Sequence, residues 1–588
     1  MWTQNYEPVG GSLGLSTAVA AVPILVLFFM LGVLRKPAWM AALTALGAAF
    51  LLALFAYGMP VTLAVMATVN GAAYGIFPIA WIVFSSIMLY RLAVETGKFE
   101  IIKDSIGGLT DDRRLQALFI AFSFGAFIEG AAGFGAPVAV SGALLVGLGF
   151  DPFYAAGICL LANTAPVAFG SIGIPVTTLA TVTGIDVMPL SMMVGRLCAM
   201  ISVIIPLYLL MVMVGWKKTK EVLPAVIICG VSFAGVQLIV SNFMGAELTD
   251  ILSSLSCIGC MVLVLKFWKP KTIYRLEGDK PATLHLHKHT GGQLLAAWLP
   301  YILLVVFVLA WGYAPFKLKI NQFTDGLLPA FLPKAAALNE LKVPSLHNLI
   351  TRIPPVTKAP APYAAQYRLD WLSASGTACF LAAIATAIFL RVSPRRFFGV
   401  YKATFSQLAK SMLTIASMLG LAYLMNYSGM TSTLGLALAH TGKTFPFFSA
   451  VLGWLGVFIT GSDTSANALF GNLQVVTAKQ IDINPVLTAS VNSAAGVMGK
   501  MISLASIAVA CASTGLTSKD EGRLFRFTIK HSIFLACVVG VVSMVFAYAA
   551  PGGVPTLPPP PAATTPAVTA PAVTLPAMTA PAATLPAK

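Results

Sequence analysis

Three residues stand charged inside apolar sequence, where charge is costly: Glu129, Asp463 and Lys500. Between Leu115 and Pro189 the only other charges are Asp151 and Asp186, both at predicted ends of apolar spans. A carboxylate at membrane depth costs about 2.5–3.5 kcal/mol on insertion scales, so it faces a partner or a cavity, or carries a proton. Glu129 precedes a run in which Gly130, Gly133 and Gly135 let the chain turn and Pro137 can begin a returning half-helix. Three roles are open to it: a bond to its own hairpin tip or a fixed cation, binding of a coupling proton, or orientation of a substrate. Asp463 sits in the polar tip Gly461-Ser-Asp-Thr-Ser-Ala-Asn467, flanked by Phe458 and Phe470. Ser462, Asp463 and Thr464 are ordinary helix N-cap types. So many hydroxyls at a positive helix end also suit a small carboxylate, which Asp463 opposes unless it is protonated, paired with a cation or binding a coupling ion.

Lys500 is the natural partner. It lies roughly 21 Å along a span that begins near residue 486, away from either surface, which weakens snorkelling as its explanation. Asn163 lies about 15 Å into its own helix, close to a midplane. Thr164, Asn467, Asn492 and Ser493 add hydroxyl and amide groups at equivalent depth. Arg196, a turn or two inside its span, is equally placed for snorkelling or for substrate contact.

Elements able to hold such groups follow from composition. The chain has 588 residues, 58% hydrophobic and 10% charged, and a mean hydropathy of +0.85, which excludes a soluble protein. Apolar runs of about twenty residues call for helices, not the alternating segments of a barrel. We expect an all-α polytopic membrane protein with crossings near residues 16–34, 38–56, 70–90, 153–182, 190–214, 222–243, 250–268, 293–313, 371–391, 404–425, 486–513 and 528–550. The stretches 115–149 and 446–484 are apolar but broken by glycines and small polar residues, so they read as re-entrant hairpins. Basic clusters at 35–36, 91–114, 217–220, 266–280, 391–396 and 523–530 belong on the cytoplasmic face. That arrangement closes with twelve crossings (twelve to fourteen allowing for the broken stretches), hairpins opening from opposite faces, and both termini outside. The connector 314–370 then also lies outside. The net charge of +16 is thereby topological, not a nucleic-acid footprint.

The hairpins resemble each other. Gly125-Ala-Phe-Ile-Glu-Gly130 parallels Gly456-Val-Phe-Ile-Thr-Gly461, and Asn163-Thr-Ala-Pro-Val-Ala-Phe-Gly170 parallels Asn492-Ser-Ala-Ala-Gly-Val-Met-Gly499. Hairpin plus following helix thus occurs twice in opposite orientation, over 115–182 and 446–513, within a membrane domain spanning 1–550. Inverted repeats with interrupted helices are the pattern of secondary transporters. From Pro551 onward, prolines among Ala, Val and Thr predict an extended, disordered tail with no transport role.

No phosphate-binding loop, metal-ligand spacing or activated nucleophile occurs, so an enzyme or ATP-driven pump is not expected, nor any cofactor or metal. His285, His287 and His289 fall in a predicted soluble connector, and the eight cysteines read as buried thiols. No cytoplasmic connector is long enough to be a sensor's output domain.

The blocks Gly125 to Pro137, Ala162 to Gly170, Gly453 to Ser465 and Gly499-Lys-Met-Ile-Ser503, with Gln4-Asn-Tyr-Glu-Pro8 and Ala439-His-Thr-Gly442, resemble those of the L-lactate permease family across residues 1–550. Leu504-Ala505 departs from the polar pair expected there. The resemblance implies a multi-pass cell-membrane symporter importing L-lactate, and in some members glycolate, with protons, its two hairpins riding in a mobile transport unit. For such a symporter, the residues read above make Glu129 or Asp463 the expected proton carrier. The expected substrate site is drawn from Asn163, Thr164, Arg196, Ser462, Thr464, Asn467, Asn492, Ser493 and Lys500, with Gly130, Gly133, Gly135 and Gly461 at the hairpin tips. Sodium coupling through unwound backbone at Asn163 and Asn492 is the alternative, and a lactate-binding sensor a more distant one.

Overall fold

The computed structural model describes residues 1–133, 135–275, 287–331, 341–517 and 519–557. His285 and the tail beyond 557 lie outside them. Twelve helices among the described residues are long and apolar enough to cross a membrane, from Leu13–Val33 to Glu521–Ala549. Their number equals the expected one, but their identity differs in part. The run at 371–391 yields only Ser375–Phe389, 15 residues and shorter than a full crossing. The run at 153–182 is two helices, Pro152–Ala162 and Gly170–Thr183, bent by 63° about residues 163–169. Arg113–Ala131 and Gly442–Thr460, the first arms of the two hairpins, are each long enough to count among the twelve.

Each hairpin turns where its glycines require it. Arg113–Ala131 ends before Gly133 and Gly135, both with positive φ, and Ala136–Gly147 then starts with Pro137 in its first turn. In the second hairpin Phe445–Thr460 is closed by Gly461 at φ 71°, and Ser462 caps Asp463–Gln480 by accepting from the Ser465 N–H at 3.2 Å. The following helix is again broken, into Pro485–Lys500 and Leu504–Thr514, the latter capped by Ser503. The two units interlock reciprocally. The returning arm Ala136–Gly147 packs on Leu504–Thr514, with Gly142 against Ser513 and Thr514. The returning arm Asp463–Gln480 packs on Gly170–Thr183, with Gly471 against Leu179, Val182 and Thr183.

The hairpins open towards opposite faces. At the base of the first, Arg114 is fully buried and pairs with Asp112 at 2.8 Å and Glu221 at 2.7 Å, while donating to the carbonyls of Lys218 and Thr272. Arg114 and Lys218 hold the Glu221 carboxyl below the usual glutamate range. This is the face of the basic connectors. The helices Val187–Ser202 and Ile205–Lys220, which form one 34-residue apolar span broken at 203–204, run between it and the other face. There Gln480 at the end of the second hairpin donates to the carbonyl of Pro355 in the long connector. Trp2–Thr3 pairs in parallel with Ile350 and Thr351 of the strand Ile350–Arg352, whose Thr351 and Arg352 pair on the other edge with Ala361–Pro362, so residues 2–3 lie on the connector face. Residues 551–557 lie there too, and they are docked instead of free as expected. Arg196 donates to the Gly553 carbonyl at 2.6 Å and Asn484 to that of Pro555 at 3.0 Å. Specific partners for these carbonyls, together with Val554 buried in the core, hold the segment in place.

Candidate functional site

The two hairpin tips meet the two helix breaks in the middle of the chain's packing. There Lys500, the last residue of Pro485–Lys500, donates to Glu129 Oε1 at 3.3 Å. Both side chains are nearly sealed, 12% and 3% exposed. The neighbouring cavity, about 90 Å³, is lined by Glu129, Ser171, Ser462, Asp463, Thr464 and Lys500. Its size suits a molecule of a few heavy atoms. Gly170 also lines it, and a Cβ there would come within 2.6 Å of Glu129 Oε1, so only glycine leaves the carboxylate room.

The polar capacity of the site exceeds its internal partners. Lys500 has three N–H donors and uses one on Glu129. Glu129 Oε2 and Asp463 Oδ1 are buried with no hydrogen-bond partner. Asp463 Oδ2, in contrast, is firmly held: it accepts from Ser493 Oγ at 2.5 Å and from Asn467 Nδ2 at 3.3 Å. Behind them Asn492 donates to Asn467 Oδ1 at 2.9 Å, and Gln474 to Asn492 Oδ1 at 3.1 Å. The helix Asp463–Gln480 begins at the cavity wall, so its unpaired N–H groups and positive end face inward. One ammonium, one helix N-terminus and the hydroxyls of Ser171, Ser462 and Thr464 therefore confront two half-satisfied carboxylates, an arrangement that can hold a small carboxylate and a proton together.

The residues singled out from sequence separate by where the fold places them. Glu129, Gly461, Ser462, Asp463, Thr464 and Lys500 line the cavity. Asn467, Asn492 and Ser493 stand behind it as the network that fixes Asp463. Gly130 abuts Asp250 and Ile251, Gly133 abuts Ser171, and Gly135 faces Val509, so these three shape the first tip without lining the cavity. Asn163 and Thr164 occupy the break of the first bent helix. Thr164 bonds locally to the Leu161 carbonyl, and both amide atoms of Asn163 are buried without a partner. Arg196 is not at the site. Its guanidinium is committed to Asn242 Oδ1 and the Gly553 carbonyl, because its helix turns that face towards the docked segment after residue 550.

Two residues escaped the sequence reading. Asp250 is 1% exposed, touches the first tip at Gly130, and neither of its oxygens has a partner. As the second residue of an apolar helix, Thr249–Phe267, it reads as an ordinary helix-start acid. Ser171 begins a run with Ile172 and Gly173 in left-handed conformation, φ 48°, 60° and 71°. A β-branched residue is rarely found there, and the turn is held by burial and by Ser171 Oγ donating to the Ala132 carbonyl at 2.9 Å. No spacing rule signals such a turn inside an apolar helix.

A family profile described as L-lactate permease matches residues 16–550. An L-lactate permease of Bacillus subtilis (strain 168) is 49% identical over 94% of this chain and 100% of its own length. A glycolate permease, GlcA, of Escherichia coli (strain K12) is 45% identical over 94% of this chain and 99% of its own length. Among solved structures, that of Neisseria gonorrhoeae MtrF, one of a class of antimetabolite efflux pumps, aligns over 83% of this chain and 85% of its own at 11% identity and a TM-score of 0.44.

Proposed function

The chain belongs to the L-lactate permease family, transporters and not enzymes, and on that premise we propose that it imports L-lactate, with glycolate and similar short 2-hydroxy monocarboxylates, by proton symport across the cell membrane. The carrying observation is the tip cavity, where Lys500 is shared between Glu129 and open space and each acid keeps one oxygen unpaired.

With both acids ionised and Lys500 charged, the cavity carries one net negative charge. A lactate anion adds a second, and one proton restores the original value, so the empty and the doubly loaded cavity carry equal charge. The order of events follows from competition. The substrate carboxylate draws the Lys500 ammonium from Glu129, and a buried carboxylate left without its cation is costly until it is neutralised. Substrate arrival thus makes a proton welcome at Glu129 or at Asp463. Ser462 and Thr464 face the same space and suit the substrate hydroxyl. On this reading the basic connectors are cytoplasmic together with the first hairpin's base, and the connector face is outside.

Reconstitution into liposomes tests this reading. In sodium-free choline medium, an inside-alkaline gradient is expected to drive labelled L-lactate above equilibrium, with collapse on adding a protonophore and competition by glycolate. Accumulation that requires sodium and ignores the pH gradient would transfer the coupling to sodium. Absence of lactate movement under both conditions would overturn the substrate.

A further inference from the structure

A second polar chamber, of about 620 Å³, lies on the connector face. Its walls come mainly from the connector over 352–368, the end of helix Pro394–Ser428, the last turn of Gly170–Thr183 and the outer end of Asp463–Gln480, with Tyr74 and Ser432 completing them. Three cations line it, Arg352, Arg368 and Lys479, and no acid does. Among the described residues none of the three cations makes an ion pair. Arg352 stacks 4.4 Å over the ring of Tyr363, and its Nε is buried without a hydrogen-bond partner. Asp186, Glu247 and Asp370 line a neighbouring cavity that shares Arg368. A concave site with one sign of charge concentrates the opposite ion and speeds its arrival.

The position of the chamber is as telling as its charge. Gly170–Thr183 and Asp463–Gln480 pack on each other, and both have one end at the tip cavity and the other at the chamber. Lys479 is sixteen residues beyond Asp463 on one helix, about 24 Å. Both helices start at the cavity, so their negative ends face the chamber, where unaided they repel an anion. The cations there offset that repulsion. The seam between the chamber walls is bridged by uncharged hydrogen bonds: Tyr423 Oη donates to the Thr181 carbonyl at 3.2 Å and Asn472 to Asn426 Oδ1 at 3.0 Å.

We propose that this chamber is a capture site for small monocarboxylates on the connector face, from which the two shared helices lead to the tip cavity. The identity of the anion rests on the substrate reading above, while the existence of an anion site does not.

The test uses the full chain in liposomes with Cys537→Ser, which removes the exposed native thiol, and Ala364→Cys as a reporter on the exposed chamber wall. An anionic thiol reagent is expected to react roughly tenfold faster, relative to a cationic one, than in the same chain carrying Arg352→Gln and Lys479→Gln. L-Lactate, but not a neutral amide of equal size, is expected to slow the reaction. In transport, the double replacement is expected to lower kcat/KM several-fold and flatten its dependence on ionic strength, with kcat kept. Arg352→Lys is expected to retain the salt dependence. An anionic preference unchanged by the double replacement, or no protection by lactate in a chain that transports it, overturns the proposal. If the native chain moves no lactate yet keeps the anionic preference, the capture site stands and the substrate reading falls.

Discussion

Replacing Lys500 by Met separates two roles that one ammonium plays. At 3.3 Å from Glu129 Oε1, its Coulomb attraction is about 5 kcal/mol at an effective dielectric constant near 20. Removing one member of such a buried pair strands the other and costs about 3–5 kcal/mol of stability. If Lys500 also holds the substrate carboxylate, the variant loses a charge-assisted hydrogen bond of about 1.5–3 kcal/mol, and lactate affinity falls roughly 10- to 150-fold. The double variant Lys500→Met/Glu129→Gln keeps the two consequences apart. Its neutral pair leaves no stranded charge, so thermal stability is expected to return to within about 1 kcal/mol of native, while affinity stays low. Stability is read from thermal unfolding in detergent. Affinity is read from the concentration dependence of lactate counterflow, which needs no proton gradient. A double variant that regains native affinity would refute the reasoning, because Lys500 would then serve only to neutralise Glu129.

Glu129→Gln alone is expected to leave lactate exchange within a few-fold of native and to abolish uphill uptake in a pH gradient; intact accumulation moves the proton to Asp463. Arg196→Gln is expected to leave lactate affinity unchanged and to increase protease cleavage near residue 553, since the guanidinium holds that carbonyl and not the substrate; a tenfold affinity loss would return it to the site. At the base of the first hairpin, Arg114 and Lys218 hold Glu221 below its ordinary 4.5. A depressed folded value means that the stabilisation is present above 4.5 and is lost as pH falls through the lower folded value. Acid titration of thermal stability is expected to show that decline, and Glu221→Gln is expected to flatten it; an identical acid profile in the variant would remove the pair from the account.

How much of this was legible depended on whether the deciding interaction was local. Glu129, Asp463 and Lys500 stood out because charge is scarce, and the hairpin tips because Gly133, Gly135 and Gly461 are needed at positive φ. Opposite openings were readable from the distribution of Lys and Arg, and the structure sets Arg114 among the basic connectors and Gln480 against Pro355 accordingly. Hydropathy alone could not tell that the run at 371–391 stops at 15 helical residues or that 153–182 bends by 63°, since packing partners decide both. Asp250 stayed hidden because its helix is apolar and only the fold brings Gly130 against it. Arg352 and Lys479 lie more than a hundred residues apart, and nothing in either neighbourhood announces the other.

The parallel pairing of Trp2–Thr3 with Ile350–Thr351, together with Gln4 donating to the carbonyls of Asn426 and Tyr427 at 2.9 Å, bears on synthesis. The first strand of the chain has no partner until the connector has been made, and Gln4 beside it has none until residues 426 and 427 have been delivered to the same face. At about 5–20 residues per second, that leaves it waiting roughly 20 to 85 seconds after leaving the ribosome. The opening helices are inserted early but locked late. A chain arrested before residue 350 therefore exposes an unpaired strand edge, a mark by which quality control can distinguish it from the finished protein.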